Sequence, residues 1–286
     1  MVNSMTKESI EKLESSCTQV RRDILRMVHR VQSGHPGGSM GCTELFVALY
    51  AEVMNHGKDV DSLNEDHFFL SNGHISPVFY STLARAGYFP VNELSTFRKI
   101  DSRLQGHPTT HEGLPGVNIA SGSLGQGLSV AIGTALSKSL NGSNGRVFCL
   151  MGDGELQEGQ IWEAAMYAPG NGVKNLIAVV DVNGQQIDGK TDDVLPLLDL
   201  HSKFTSFGWN VISLSEGNDI SSVVDALNQA SDEAVNGPVM ILMNTVMGKG
   251  VDFMENDHKW HGVAPSDEQL ENALSQLEET IGDYQI

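Results

Sequence analysis

An α/β fold, with a doubly wound and mainly parallel sheet covered by helices on both faces, is predicted by three observations. Short runs that are apolar on both faces recur along the 286-residue chain. Helical periodicities fill the intervals between them, and no repeat, low-complexity tract or Pro/Ser-rich linker interrupts the alternation. One domain over residues 1–286 is therefore expected.

The elements follow in order. Residues 8–32 carry Ile10, Leu13, Cys17, Val20, Ile24, Met27 and Val31 at alternating spacings of three and four. That stripe predicts a long amphipathic helix facing the core, too short in heptads for a coiled-coil seam. The breakers at 33–39 (Ser-Gly-His-Pro-Gly-Gly-Ser) predict a loop, and a second helical pattern runs from 43 to about 55. Buried strands are expected at 68–71, 147–151, 176–182 and 240–244, with a fifth at 211–214. Helices are expected near 78–86, 124–140, 155–168, 194–207 and 219–236. An acidic amphipathic helix, built on Leu270, Ala273, Leu274, Leu277 and Ile281, is predicted over 266–281.

Charge and composition narrow the function. Eighteen Lys and Arg stand against 36 Asp and Glu, a formal charge of −18. So acidic a surface repels phosphate backbones and anionic headgroups, which disfavours nucleic-acid or membrane binding as the main role. No segment reaches the roughly 18 unbroken apolar residues of a membrane span, and residues 1–8 lack the apolar core of a signal peptide. Cys17, Cys42 and Cys149 form no C-x-x-C pair and suggest neither a disulfide framework nor structural zinc. A soluble cytoplasmic protein is expected.

Ligands of doubly wound sheets sit beyond the carboxyl ends of the strands. The strand ending at Met151 runs into Gly152-Asp153-Gly154-Glu155, and the next ends in Asp181-Val182-Asn183-Gly184-Gln185. Asp153 and Asn183 are one strand–helix–strand unit apart, so both emerge on one sheet edge. A carboxylate, an amide oxygen and the Gln185 carbonyl make a hard oxygen set suited to Mg²⁺ or Ca²⁺ together with phosphate oxygens. Gly154 leaves room for a diphosphate, and a helix beginning near Leu156 would add N–H donors. Each dipeptide alone reads as a turn; their paired placement after buried strands favours a site.

A competing motif overlaps the second loop. Residues 184–191, Gly-Gln-Gln-Ile-Asp-Gly-Lys-Thr, fit the P-loop pattern letter for letter. Against it, Asp188, Asp192 and Asp193 would crowd the phosphates, and Pro196 falls where the following helix should continue.

Histidine supplies the third signal. Four of the ten histidines lie in loops marked by glycine or proline: His35, His74, His107 and His261. Loop histidines are commonly surface residues, but loops converging at one edge would gather neutral imidazoles able to bind hydroxyls and move protons. His107 and His111 have the spacing of a helical zinc pair, yet Pro108 and the nearby glycines argue against a helix there. His29 reads as structural, and His111 and His258 stay undecided.

Together these residues resemble the thiamine-diphosphate-binding half of transketolase. The resemblance runs from the first helix to His261: Ser-Gly-His-Pro-Gly at 33–37, Leu-Ser-Asn-Gly-His at 70–74, Gly-His-Pro at 106–108 and Gly-Ser-Leu-Gly-Gln-Gly at 122–127. It continues through Gly-Asp-Gly at 152–154, Gln-Glu-Gly at 157–159, Asp-x-Asn-Gly at 181–184, Ile-Asp-Gly at 187–189 and His-Gly at 261–262. Gly-Asp-Gly with a distant Asn marks the cofactor alone; the histidine loops point to transketolase.

The resemblance implies a thiamine-diphosphate-binding fold, with Asp153, Asn183 and the Gln185 carbonyl as ligands of Mg²⁺ (or Ca²⁺). Gly154 and His74 would contact the diphosphate, and Gly122 and Leu124 the aminopyrimidine. His35 and His261 would transfer protons at the substrate hydroxyl and carbonyl, and His107 would bind substrate. Glu158 and Glu163 match cofactor-linked glutamates at the interface between protomers. Two departures stand out: Gln185 replaces an apolar residue, and Gly-Ser-Leu-Gly stands where Gly-Pro-Leu-Gly is usual. Nothing after His261 resembles the pyrimidine-binding domain, which in the family supplies the glutamate that protonates the aminopyrimidine and the arginines that grip sugar phosphate. The resemblance therefore implies the N-terminal subunit of a split transketolase, partnered by a C-terminal pyrimidine-domain subunit in an α₂β₂ assembly. Such an enzyme moves a two-carbon ketol unit from a ketose phosphate to an aldose phosphate. A related ketol transferase acting on a modified sugar is the alternative, and a P-loop nucleotide-binding protein the remote one.

Overall fold

The computed structural model describes residues 5–57 and 63–285. The leader reading of residues 1–8 therefore falls partly outside the described residues. Helix α1 (Lys7–Val31) opens on Thr6, whose hydroxyl accepts the Ser9 N–H, and buries the predicted stripe from Leu13 to Met27. The 33–39 segment differs from expectation. Helix α2 (Pro36–Gly41) begins inside it, because Pro36 at the first helical position gives up no hydrogen bond. Its glycines are required by packing: a Cβ on Gly37 would lie 2.8 Å from the Trp260 carbonyl, and one on Gly38 would lie 2.9 Å from Ile75. Helix α3 (Thr43–Ala48) passes into a π-helical turn at Leu49–Val53 and stops short of 55.

The chain continues through β1 (His67–Leu70), a 3-10 turn at Gly73–Ile75, α4 (Ser76–Arg85) and two further 3-10 turns, Val91–Thr96 and Thr110–Glu112. Then come α5 (Gly127–Leu140), β2 (Val147–Gly152), a 3-10 turn at Gly154–Gln157, α6 (Gly159–Gly170) and β3 (Leu176–Val182). A small hairpin follows, β4 (Gln185–Gln186) and β5 (Gly189–Lys190), then α7 (Thr191–Val194) and α8 (Leu200–Phe207). The single helix expected over 194–207 is thus two pieces, and Pro196 lies in the break. The chain ends with β6 (Asn210–Leu214), α9 (Ile220–Glu233), β7 (Val239–Asn244), a 3-10 turn at His258–His261 and α10 (Asp267–Gln276).

All five long strands are parallel, in the order β1-β2-β3-β7-β6. The α/β class with helices on both faces is as expected. Alternate strand residues feed two cores. Phe68, Leu70, Phe148, Leu150, Ile177 and Val179 pack with α1, α3, α4 and α9. Phe69, Cys149, Met151, Ala178 and Val180 pack on the opposite face with α5, α6 and α8.

Helix α10 has a capping box, with Ser266 and Gln269 satisfying each other's backbone, but ends at Gln276 and not at 281. The cause lies in α1: the Arg22 guanidinium takes the Leu274 and Leu277 carbonyls, and Asp283 accepts from Arg22 and Arg26. These ion pairs lay the 277–284 segment along α1. No helix among the described residues is long and apolar enough to cross a membrane. All three cysteines are buried thiols.

Candidate cofactor and substrate site

Strand register decides what meets at the sheet edge. Gly152 lies opposite Asp181 in the β2–β3 ladder, so Asp153 and Asn183 leave neighbouring strands side by side. They open onto a cavity of about 240 Å³, also lined by His35, His74, Gly122, Leu124, Gly154, Glu155, Gln185, Met247 and His261.

Asp153 is 3% exposed. Its Oδ1 accepts the Gly154 N–H at 2.8 Å, and its Oδ2 accepts the Gly184 N–H at 2.7 Å and the Thr191 hydroxyl at 3.2 Å. Burial pushes its carboxyl up to about 7, and the nearby Asp181 charge adds to that push. Asp181 is wholly buried and accepts from Thr245 Oγ1 and, at 2.8 Å, from Asn183 Nδ2. That second bond fixes the Asn183 amide, because its nitrogen faces Asp181 and its oxygen must face the other way. The same oxygen accepts the Gln185 N–H at 2.9 Å. Two buried carboxylates that no basic side chain among the described residues bonds, beside an oriented amide oxygen, suit a divalent ion.

The loop at 184–191 is the β4–β5 hairpin, with Gln185 opposite Lys190 and the Thr191 N–H closing on the Gly184 carbonyl. Lys190 stands on a strand of that hairpin, and α7 after it has four residues, too short to carry a phosphate cradle. The P-loop pattern is a coincidence of letters.

The histidine loops do converge. Ring centroids of His35 lie 5.0 Å from His74, 5.5 Å from His261 and 6.4 Å from His107, and His74 lies 5.0 Å from His261. His107 is the most exposed of the four and, although beside His35, does not itself line the cavity. Behind it, Arg98 joins two of these loops, donating to Ser33 Oγ at 3.0 Å and to the Gly106 carbonyl at 3.4 Å. Burial lowers all four imidazoles, and mutual repulsion adds to this for His35 and His74. His35 falls to about 4. The cluster is therefore neutral near pH 7, able both to donate and to accept.

One consequence is measurable in the ligand-free chain. The unfolded His35 takes up its proton near 6.5 and the folded one near 4, so acidification between those values favours unfolding. Asp153 acts oppositely, its raised value favouring the fold below about 4 and losing that stability as pH rises through about 7. The melting temperature of His35→Gln is accordingly expected to drop less than that of the unaltered chain between pH 6.5 and 4.5. Parallel curves would disprove the buried neutral imidazole.

The cavity fits a cofactor on its own polar inventory. His35 Nδ1, Asn72 Oδ1, Ser121 Oγ and His261 Nδ1 are buried without a hydrogen-bond partner among the described residues. A Cβ at Gly73 would strike Ser121 Oγ at 2.4 Å, and one at Gly122 would strike the His107 ring at 2.9 Å. Bare backbone at these points is what brings three loops together.

Other expected residues lie apart. Glu158 stands at the N-cap position of α6 without a side-chain capping bond, and Glu163 lies on that helix; both are exposed and neither lines this cavity. Glu163 borders a separate cleft of about 360 Å³ between α5 and α6, with Ile132, Leu136 and Tyr167. The expected helix near Leu156 starts as a 3-10 turn, and α6 begins at Gly159. Residues 107–111 form no α-helix, and His111 is exposed. His29 pairs with Asp267 at 2.8 Å, and half-exposed His258 faces Asp257 at 3.9 Å. Ser71, Glu155, Asp181 and Thr191 hold the site's loops and its Asp153 and Asn183 in place, and were not among the expected site residues. Each lies in or next to a glycine motif, which does not say which of a motif's residues the fold will use.

Three comparisons bear on this arrangement. The profile of the family described as transketolase, thiamine diphosphate binding domain, matches residues 14–280. The 6-deoxy-6-sulfo-D-fructose transketolase subunit of Clostridium sp. strain MSTE9 is 37% identical, covering 96% of this chain and 98% of that protein. An apulose-4-phosphate transketolase subunit of Actinobacillus succinogenes is 38% identical, covering 95% and 98%. The crystal structure of Campylobacter jejuni transketolase superposes with a TM-score of 0.87 at 31% identity, covering 94% of this chain and 43% of that one.

Proposed function

The chain belongs to the transketolase family, and from that premise we propose that it is the N-terminal subunit of a two-subunit transketolase. The whole of residues 1–286 acts as one diphosphate-binding domain. The assembled enzyme moves a two-carbon ketol unit from a ketose phosphate to an aldose phosphate. The observation that carries this reading is the meeting of His35, His74 and His261 in the cavity edged by Asp153 and Asn183, with the His107 ring beside His35.

Asp153, the Asn183 amide oxygen and the Gln185 carbonyl would hold Mg²⁺ (or Ca²⁺), with the diphosphate received at Gly154 and His74. Gly122 and Leu124 would present backbone to the aminopyrimidine. Thiamine diphosphate, when bound, supplies the carbanion and the electron sink for C–C cleavage. The chain's part is to bind, orient and move protons. His107, exposed beside His35, binds a substrate hydroxyl, and His35 and His261 exchange protons with the substrate's hydroxyl and carbonyl oxygens. Their lowered basicity leaves each able to accept a proton and return it without a standing charge.

A partner is supported by relatives of this length bearing subunit names. Self-association into α₂β₂ is supported by the α5–α6 cleft, which Glu163 and exposed Tyr167 line, and by Val130 and Met166, also exposed on these two helices. The same relatives favour a second reading of the substrate, a modified sugar, because their names specify 6-deoxy-6-sulfofructose and apulose 4-phosphate. The acidic surface suits neither nucleic acid nor membrane, and the working place would be the cytoplasm.

Co-purification tests the proposal. The chain co-expressed with a pyrimidine-domain subunit encoded beside it is expected to show ketol transfer that requires both thiamine diphosphate and Mg²⁺, and the chain alone to show none. Activity of the lone chain would overturn the two-subunit reading. Thermal protection by ATP in place of thiamine diphosphate would overturn the cofactor assignment.

A further inference from the structure

One buried carboxylate of the cavity has no part in the scheme above. Glu155 is 2% exposed and sits in the 3-10 turn after β2. Its Oε1 accepts from Ser71 Oγ and from the Gly125 N–H at 2.8 Å, and its Oε2 accepts from the Gly152 N–H at 3.2 Å. Ser71 Oγ in turn accepts the Gly127 N–H at 3.0 Å. One side chain thus ties the ends of β1 and β2 to the 121–127 loop.

That loop runs into α5, to which the Gln126 carbonyl ties it by accepting the Val130 N–H. Gly122 and Gly125 adopt φ of 125° and 86°, conformations outside any regular element. Ahead of α5, among the described residues, it is held by Glu155 and Ser71 and, at the far end, by a backbone bond from the Ser121 N–H to the Pro108 carbonyl. A Cβ on Gly127 would lie 2.4 Å from Ser71 Oγ, so the loop rests directly on the strand end. Yet Gly122 and Leu124 line the cavity, and their placement fixes its wall.

We propose that Glu155 is a positioning residue that sets the 121–127 loop against the cavity and so determines affinity for the heteroaromatic end of the cofactor. This rests on the thiamine-diphosphate reading. A carboxylate is specifically required, because three donors converge on it and it offers none of its own. Glutamine has nearly the same volume but would turn an amide N–H toward the Gly152 N–H, or toward Ser71 and Gly125.

Hydrogen exchange on the full chain without cofactor tests the placement directly. In Glu155→Gln, amides of 121–127 and the Gly152 amide at the end of β2 are expected to exchange about tenfold faster, the effect of losing one hydrogen bond to a charged group, with β3 and β2 up to Met151 unchanged. Ser71→Ala is expected to speed the Gly127 end of the loop while sparing Gly125. In the complex with the partner subunit, Glu155→Gln should raise the Kd for thiamine diphosphate about tenfold and leave kcat at saturating cofactor within about twofold. Unchanged loop exchange would overturn the proposal, as would acceleration spread evenly through the sheet. If Glu155→Gln fails to fold, Ser71→Ala decides by the same two criteria. Should the unaltered complex bind no thiamine diphosphate, the cofactor reading fails, while the exchange result still stands or falls alone.

Discussion

Asp153→Ala is expected to weaken thiamine diphosphate binding to the assembled enzyme by at least about 100-fold, measured by fluorescence titration with excess Mg²⁺. The effect is large because Asp153 is the one anionic member of the proposed donor set; Asn183 and the Gln185 carbonyl bring dipoles. Truncation also strands the Gly154 and Gly184 N–H groups and the Thr191 hydroxyl, which all end on this carboxylate. Against that loss stands a gain, since the carboxylate is buried beside Asp181 and removing it relieves repulsion. Alanine can therefore cost binding far more than stability. Asp153→Asn separates the two effects. Its one oxygen still accepts from the Gly184 N–H and the Thr191 hydroxyl, while the Gly154 N–H loses its acceptor. The charge is removed, so binding should fall far more than the melting temperature. Retained Mg²⁺-dependent binding in both variants would refute the site.

The fold was legible where burial is symmetrical. Parallel strands covered on both faces write themselves as unbroken apolar runs, and 147–151, 176–182, 211–214 and 240–244 each fall within a residue of an observed strand. Legibility failed where a distant group decides a local matter. Residues 277–281 keep the helical stripe of α10, yet Arg22 and Asp283 pull that stretch onto α1. Residues 36–41 look like a breaker run, yet close packing against Trp260 and Ile75 demands the same glycines within a helix. The candidate site shows the same division. Asp153, Asn183 and the loop histidines could be picked out because glycine and proline mark them as loop-end residues. Asp181 and Glu155 could not, because an acidic residue beside a motif carries no sign of how many donors the fold will aim at it. The P-loop match is the converse case, since its letters are satisfied by a hairpin whose hydrogen bonds leave no backbone cradle.

His35→Ala and His261→Ala are each expected to lower kcat of the assembled enzyme by about 10² to 10⁴, the range for removing a positioned proton carrier. Both rings line the cavity, 5.5 Å apart, and both keep a buried Nδ1 free of partners among the described residues. An unpaired nitrogen in so closed a place costs stability unless something else uses it. Substrate oxygens are the natural users, and the neutral state imposed by burial lets each ring serve in either direction of transfer. Because the rings touch, the double variant should lose much less than the product of the single losses. His35→Gln should sharpen the distinction between roles: a glutamine can hold a hydroxyl but cannot carry its proton, so KM would recover toward normal while kcat stays low. Thiamine diphosphate affinity should change by less than about threefold in all of them, since neither ring is needed to hold the diphosphate. Should both alanine variants keep more than half of kcat, proton handling would belong to the partner subunit, and these two histidines would serve only to shape the cavity.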